Sequence, residues 1–262
     1  MKLSGKTFAA FLKMLEIVGT NSDYLVIENN KVRQLGNNKG NIFKVDLTPL
    51  FEGQGEVLNI VIHNVAQKLQ LLDVMYKQQC DVHIVQQEEG YIIHDDQTYI
   101  HNPGVVKHYV PNPYLTDEEY NLRISEGNRT KVIHEAEVSK IIMDRMASFS
   151  RALSSKKLNA VFDGDEVILE LRVSDSTSPT TIDLIKFPEV ENELEGLAKF
   201  SIDPIIVCQP PLYVDIDVKN DQEYAYMKSE FLLCSDPNVV FTLWSLSNLV
   251  KEEDEDEFSG MI

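Results

Sequence analysis

His94 and His101 stand at either end of one predicted hairpin, with Asp95 and Asp96 between them. Two imidazoles and two carboxylates at that spacing are metal-ligand types. A bare hairpin end fixes no coordination geometry, however, and ordinary polar turn residues are the plainer reading. Val161-Phe162-Asp163-Gly164-Asp165 resembles the opening of a calcium loop, yet no Glu follows at the bidentate position, so it reads as a turn between strands. Gly36-Asn37-Asn38-Lys39-Gly40 lacks the Ser/Thr and the helix of a phosphate loop. There is no Gly-x-Ser-x-Gly, no Cys-x-x-Cys and no His-Glu-x-x-His. Cys80, Cys208 and Cys234 are odd in number and far apart, and each lies in or beside an apolar stretch. Buried thiols in a reducing, cytoplasmic compartment are expected, with no disulfide or zinc framework. No enzyme activity, cofactor or metal is expected.

The residues that remain are cations on helix faces. The chain has 24 Lys and Arg against 42 Asp and Glu, a formal net charge of −18. Opposite three apolar helical stripes it nevertheless places Lys6, Lys13, Lys77, Lys140 and Arg151 against one acid, Asp144. A single amphipathic helix normally exposes lysine to water. Repetition over three helices of an acidic chain points instead to a local surface for a polyanion.

Three helices must position these cations. The first, Lys6–Val18, has its stripe at Phe8, Phe11, Leu12 and Leu15. At about 100° per residue, Lys6 and Lys13 fall on the side away from that stripe. The second, about Asn64–Gln78, has its stripe at Val65, Leu69, Leu72 and Tyr76, and turns Gln67, Gln70, Lys77 and Gln78 outward. The third, about Glu135–Ser154, aligns Val138, Ile141, Ile142, Met146, Phe149 and Leu153, with Lys156 and Lys157 just after its end. Strands are predicted at Tyr24–Glu28 and Lys31–Leu35 around the turn signal Asn29-Asn30, and at Asn41–Leu47 and Val57–His63. More follow at Asp81–Gln86, Tyr91–Ile93, Thr98–Ile100, Asn159–Phe162, Glu166–Val173, Thr180–Phe187, Leu212–Val218, Glu230–Cys234 and Val239–Leu246.

Residues 2–47 and 134–187 therefore read as one helix-then-strands unit written twice. The length of 262 residues and a hydrophobic content of 43% suit two globular domains. The expected boundaries are 1–103, a Pro/Gly-broken connector 104–131, 132–250, and an acidic tail 251–262 containing Glu252–Glu257. No run approaches the roughly 18–20 apolar residues that span a bilayer, and no membrane partner is expected. The polar start Met1–Thr7 has no apolar signal core.

The start Met1-Lys2-Leu3-Ser4, then Thr7 and Leu12-Lys13, is similar to the three-subunit DNA sliding clamps of tailed bacteriophages. The repeat, the connector, the acidic total and the cationic or amide-rich helix faces resemble sliding clamps generally. The resemblance implies an α+β fold of two similar clamp domains, antiparallel sheets outside and helices inside, assembling into a closed ring. It implies a homotrimeric processivity factor that encircles duplex DNA with weak, sequence-independent contacts and tethers a replicative polymerase. Lys2, Lys6, Lys13, Gln67, Gln70, Lys77, Lys140, Arg151, Lys156 and Lys157 would face the DNA. Thr98, Tyr99 and Ile100 of one subunit would meet Thr181, Ile182 and Leu184 of the next. Polymerase and clamp loader would dock near Tyr109, Val110 and Tyr114 in the connector. The main departure is the fourth helix, short or distorted around Asp203–Cys208. The rival readings are a β-rich virion or scaffold protein, which leaves the cationic faces unexplained, and an acidic DNA-mimic inhibitor.

Overall fold

The computed structural model describes residues 1–37, 40–51, 53–55, 57–104, 118, 129–164, 166–173, 180–187, 194–208, 212–219, 224–234 and 236–250. The chain divides into two compact units, Met1–Arg123 with Glu230–Leu243, and Ile124–Ser229 with Trp244–Ile262.

The first repeat runs β1 (Lys2–Leu3), α1 (Gly5–Gly19), β2 (Tyr24–Ile27), β3 (Lys31–Leu35), β4 (Asn41–Asp46), β5 (Ile60–His63), α2 (Val65–Lys77), β6 (Val82–Gln86), β7 (Gly90–His94) and β8 (Tyr99–Pro103). Between β4 and β5 lies a 3-10 turn, Thr48–Phe51. Helix α1 is apolar around most of its circumference and buries Phe8, Phe11, Met14, Leu15, Ile17 and Val18 among others. Only a narrow strip containing Gly5 and Lys6 is exposed. Asn29 and Asn30 both adopt positive φ, 52° and 62°, the hairpin geometry their residue type tolerates. Asn30 then ties the hairpin down, its side-chain oxygen accepting from Leu58 N at 2.8 Å. Fully buried Gln34 accepts from Val26 N at 2.9 Å and donates to Tyr24 O at 2.8 Å, which satisfies its amide inside the core.

Strands β1-β6-β7-β8 form one antiparallel sheet in that order, and β2 pairs with β5 and β3 with β4. Strand β4 also pairs with β16, whose start, Val240–Leu243, belongs to this unit. Phe43 and Phe241 meet there, ring centroids 6.2 Å apart. Gly90 lies so close to the Asn102 carbonyl across β7 and β8 that a Cβ would strike backbone. Gly90→Ala is expected to destabilise the chain by on the order of 2 kcal/mol, read as a lowered denaturant midpoint.

The second repeat runs β9 (Arg129–Val138), α3 (Lys140–Leu153), β10 (Lys157–Gly164), β11 (Glu166–Val173), β12 (Thr180–Phe187), β13 (Leu194–Ser201), α4 (Asp203–Ile206), β14 (Leu212–Lys219), β15 (Tyr224–Leu232) and β16 (Val240–Val250). Its order of strands and helices is that of the first repeat, element for element. The pairings match too: β9-β14-β15-β16 mirrors β1-β6-β7-β8, and β10-β13 and β11-β12 mirror β2-β5 and β3-β4. The single turn α4 stands where the first repeat has α2, so the fourth helix is short, as the sequence suggested.

Several elements differ from the sequence reading, among them β15, which runs Tyr224–Leu232 where a strand was expected over Glu230–Cys234. Helix α3 starts at Lys140, not near Glu135, because Arg129–Val138 pairs with β14 as a strand. Ser139 then caps the helix, its hydroxyl accepting from Ile142 N. Its buried face is consequently Met143, Met146 and Ser150, and Ile141 is 66% exposed. Strand β13 was not anticipated. It pairs with β10 along its whole length, from Lys157↔Ser201 to Gly164↔Leu194. The hairpin predicted there is borne out in its strands, with Asp163 opposite Glu166 and Gly164 at φ 60°.

Candidate nucleic-acid interface

In the first unit α1 and α2 pack together, Phe8 meeting Tyr76 edge-on at 5.3 Å. Lys6 is exposed and has no acidic partner among the described residues. Lys13 differs: its side chain is only 18% exposed and bonds Glu16 at 2.8 Å. On α2 the exposed side carries Gln67, Gln70, Leu71, Val74, Lys77 and Gln78. Lys77 is paired to Asp73 at 2.5 Å, so this face presents amides and aliphatic surface with almost no net charge. Lys2, on β1, pairs with Asp81 at 2.6 Å.

In the second unit the exposed arc of α3 holds Lys140, Ile141, Asp144, Arg145, Ser148 and Arg151. Lys140 bonds Asp144 at 2.8 Å. Arg145 is exposed, and Arg151 turns its Nε to the Ala147 carbonyl at 3.1 Å. Lys156 pairs with Asp203 at 3.2 Å, while Lys157 opens β10 exposed. Exposed pairs of this kind are worth about 0.3–0.5 kcal/mol and exchange readily. They still lower the field of the faces. Glu16 and Asp73 sit on the helix flanks by angle, but their side chains reach the lysines, so the single acid counted from the sequence becomes three. The uncompensated helical cations among the described residues are half-buried Lys68 on α2 and the exposed Lys6, Arg145 and Arg151. The sequence reading left out Arg145, because it took Ile141 as buried and thereby turned the helix by about one residue.

No group of three or more His, Cys, Asp or Glu side chains positioned for a metal occurs among the described residues. Cys80, Cys208 and Cys234 are free thiols. No helix among the described residues is long and apolar enough to cross a membrane.

Strands β8 and β12 are each the last strand of their sheet. On β8, Tyr99 is 60% exposed and Ile100 half-buried. On β12, Thr181 is exposed, and Ile182 and Leu184 are half-buried. By position in the repeat, β12 corresponds to β4 and β8 to β16. The pair β4 and β16 is joined within the chain.

Solved structures with this arrangement come from archaeal and eukaryotic clamps. The PCNA2–PCNA3 complex of Sulfolobus tokodaii superposes with a TM-score of 0.62 at 10% identity, covering 94% of this chain and 99% of that one. Proliferating cellular nuclear antigen of Entamoeba histolytica gives 0.61 at 14% identity, covering 94% and 97%. A structure of the C-terminal region of FEN-1 bound to A. fulgidus PCNA gives 0.59 at 10% identity, covering 96% and 98%. The fold is that of a sliding clamp. At such identities the likeness is one of fold alone. No family model matches the sequence, and neither does any curated protein.

In the sliding-clamp fold of this chain, the expected α+β organisation with two similar clamp domains stands. The residues expected to receive partners, Tyr109, Val110 and Tyr114, lie outside the described residues, as does the acidic tail 251–262.

Proposed function

We propose that this chain is a DNA sliding clamp, a processivity factor that closes around duplex DNA and tethers a polymerase without sequence preference. The observation that carries the reading is the relation between the two repeats. Strand β4 of the first repeat pairs with β16 of the second, and this uses one of two equivalent junctions. The other is left as two terminal strands, β12 and β8. Pairing β12 of one copy with β8 of the next repeats a junction the chain already makes. Such head-to-tail contacts are heterologous and close into a ring when the rotation allows. Closure also removes two exposed sheet edges that would otherwise invite aggregation.

Three copies, six repeats in all, are the stoichiometry suggested by the two-repeat length and by the phage-like start Met1-Lys2-Leu3-Ser4 with Leu12-Lys13. In such a ring the exposed faces of α1, α2 and α3 turn toward the axis. Lys6, Arg145 and Arg151 then supply sparse phosphate contacts, and Gln67 and Gln70 supply amides. Lys2, Lys13, Lys77, Lys140, Lys156 and Lys157 contribute less, the first five because an acid already holds each. Sparse contacts suit sliding, since each phosphate neutralised adds to affinity and to salt dependence but carries no sequence information. The acidic remainder repels DNA from the outside. Polymerase and clamp loader dock on the connector near Tyr109, Val110 and Tyr114, and the protein acts without catalysis of its own.

Topology supplies the test. Protein loaded onto a circular duplex is expected to co-elute with it, and to be lost once a single double-strand cut makes the circle linear. Retention that is equal on cut and uncut DNA would mean ordinary surface binding and would contradict the proposal.

A further inference from the structure

Residues 251–262 follow directly on β16 and have no part in the proposed clamp. After Lys251 they read Glu252-Glu253-Asp254-Glu255-Asp256-Glu257, and then turn apolar at Phe258, Met261 and Ile262. The exposed arc of α3 is their complement. Lys140 and Asp144 cancel each other there, which leaves the charge of Arg145 and Arg151. Ile141 stands on the same arc, 66% exposed. Ile141 and Arg145 are neighbours at i and i+4, and Arg151 follows about 9 Å further along the axis. Two uncompensated cations on one helix occur on α3 alone among the described helices.

We propose that the α3 face is the seat of the chain's own acidic segment when no DNA occupies it. The carboxylates of 252–257 lie against Arg145 and Arg151, and Phe258 covers Ile141. The inference rests on the reading of the α3 face as DNA-facing, and it makes the segment an internal competitor of the phosphate backbone. Length permits the contact. Val250 pairs with Leu197 of β13, which fixes where the segment begins. Strands β13 and β10 stand between β16 and β11, and α3 packs on β11 and β12. At the usual strand spacing β11 is therefore roughly 14 Å from β16. Residues 251–258 can reach about 26–29 Å. All of these elements belong to the second unit, β16 from Trp244 onward.

Charge supplies the choice of occupant. A run of carboxylates offers an arginine the same kind of charged oxygen that a phosphate does. Exposed ion pairs are weak singly. A tethered segment, however, meets its own face at an effective concentration in the millimolar range, so weak pairs suffice to hold it. The consequence is selectivity. A polyanion meeting α3 from solution has to displace the segment, whereas a duplex enclosed by the ring is itself held at high local concentration and competes on equal terms.

Two measurements on the full-length chain test the seat. Without DNA, a carbodiimide, which joins a carboxylate to an amine in contact with it, is expected to link residues 252–257 to Lys140, with the Lys140–Asp144 pair as internal reference. In Arg145→Gln/Arg151→Gln the link from the segment should fall at least about fivefold. With Glu→Gln and Asp→Asn throughout 252–257, affinity for a short linear duplex at fixed salt should rise about fivefold. Made on the Arg145→Gln/Arg151→Gln background, the same change should raise it by about twofold or less. An absent link, no gain in affinity, or an equal gain on both backgrounds would each overturn the inference, the last because the segment would then act by general repulsion. In a mixture of isotope-labelled and unlabelled copies, links that join only unlike copies would give the seat to a neighbour's segment and overturn it too. Duplex bound by none of these chains would overturn the clamp reading, and the link, read without DNA, would still decide the seat.

Discussion

Tyr99→Asp is expected to turn the proposed ring into monomers while leaving the fold nearly as stable as before. Tyr99 is 60% exposed in the single chain, and its only described ring contact is the stack on His94. Removing it should cost the monomer about 1 kcal/mol or less, a small shift in a thermal melt. In the proposed ring the same side chain would be buried beside the incoming strand. A buried interface tyrosine replaced by a charge costs about 2–4 kcal/mol, or roughly 30- to 1000-fold in the dissociation constant of each junction. Light scattering coupled to size exclusion reads both outcomes. A monomeric variant with a native-like melt supports the account. A variant that still assembles at low micromolar concentration would show that β8 is not the closing strand.

The second large effect concerns the helix faces. Lys6→Glu with Arg145→Glu and Arg151→Glu should abolish stimulation of a polymerase on circular DNA without lowering stability measurably. All three side chains are exposed, and surface substitutions of this kind stay within about 0.5 kcal/mol. Their effect on DNA is large because each reversal replaces an attractive phosphate contact by a repulsive one. The slope of log affinity against log salt should also fall by about one for each cation lost. Lys13 is a poorer target despite its place opposite the stripe. Its reversal would set a second carboxylate beside Glu16 at a site where the lysine is 18% exposed, and would mix loss of stability with loss of binding. Native-like stimulation of the polymerase by the triple variant would remove the helix faces from the mechanism.

These choices show where the sequence is legible. Helix α1 could be read from Phe8, Phe11, Leu12 and Leu15 because a stripe at helical spacing has no other use. The β2–β3 hairpin could be read from Asn29-Asn30 because both positions need positive φ. Helix α3 could not be bounded in the same way. Val138 stands three residues before Ile141 and extends the apolar pattern, yet it is the buried last residue of β9. Only the Ser139 cap marks the change, and a serine in mid-pattern is a weak signal. Strand β13 contains Gly196, Ala198 and Lys199, poor strand formers. Its conformation comes from full-length pairing with β10, a long-range contact that local propensity does not report. The ion pairs of Lys13 and Lys77 escaped for a related reason, since a helical wheel fixes Cβ directions but not the reach of Glu16 or Asp73.

An image of the assembled particle tests the central claim most directly. Single-particle electron microscopy of the full chain at neutral pH is expected to show a closed ring of three copies with six-fold pseudo-symmetry. Its hole should be wide enough to pass duplex DNA, with helices toward the hole and sheets around the rim. Compact monomers, or an assembly without a central hole, would contradict the account.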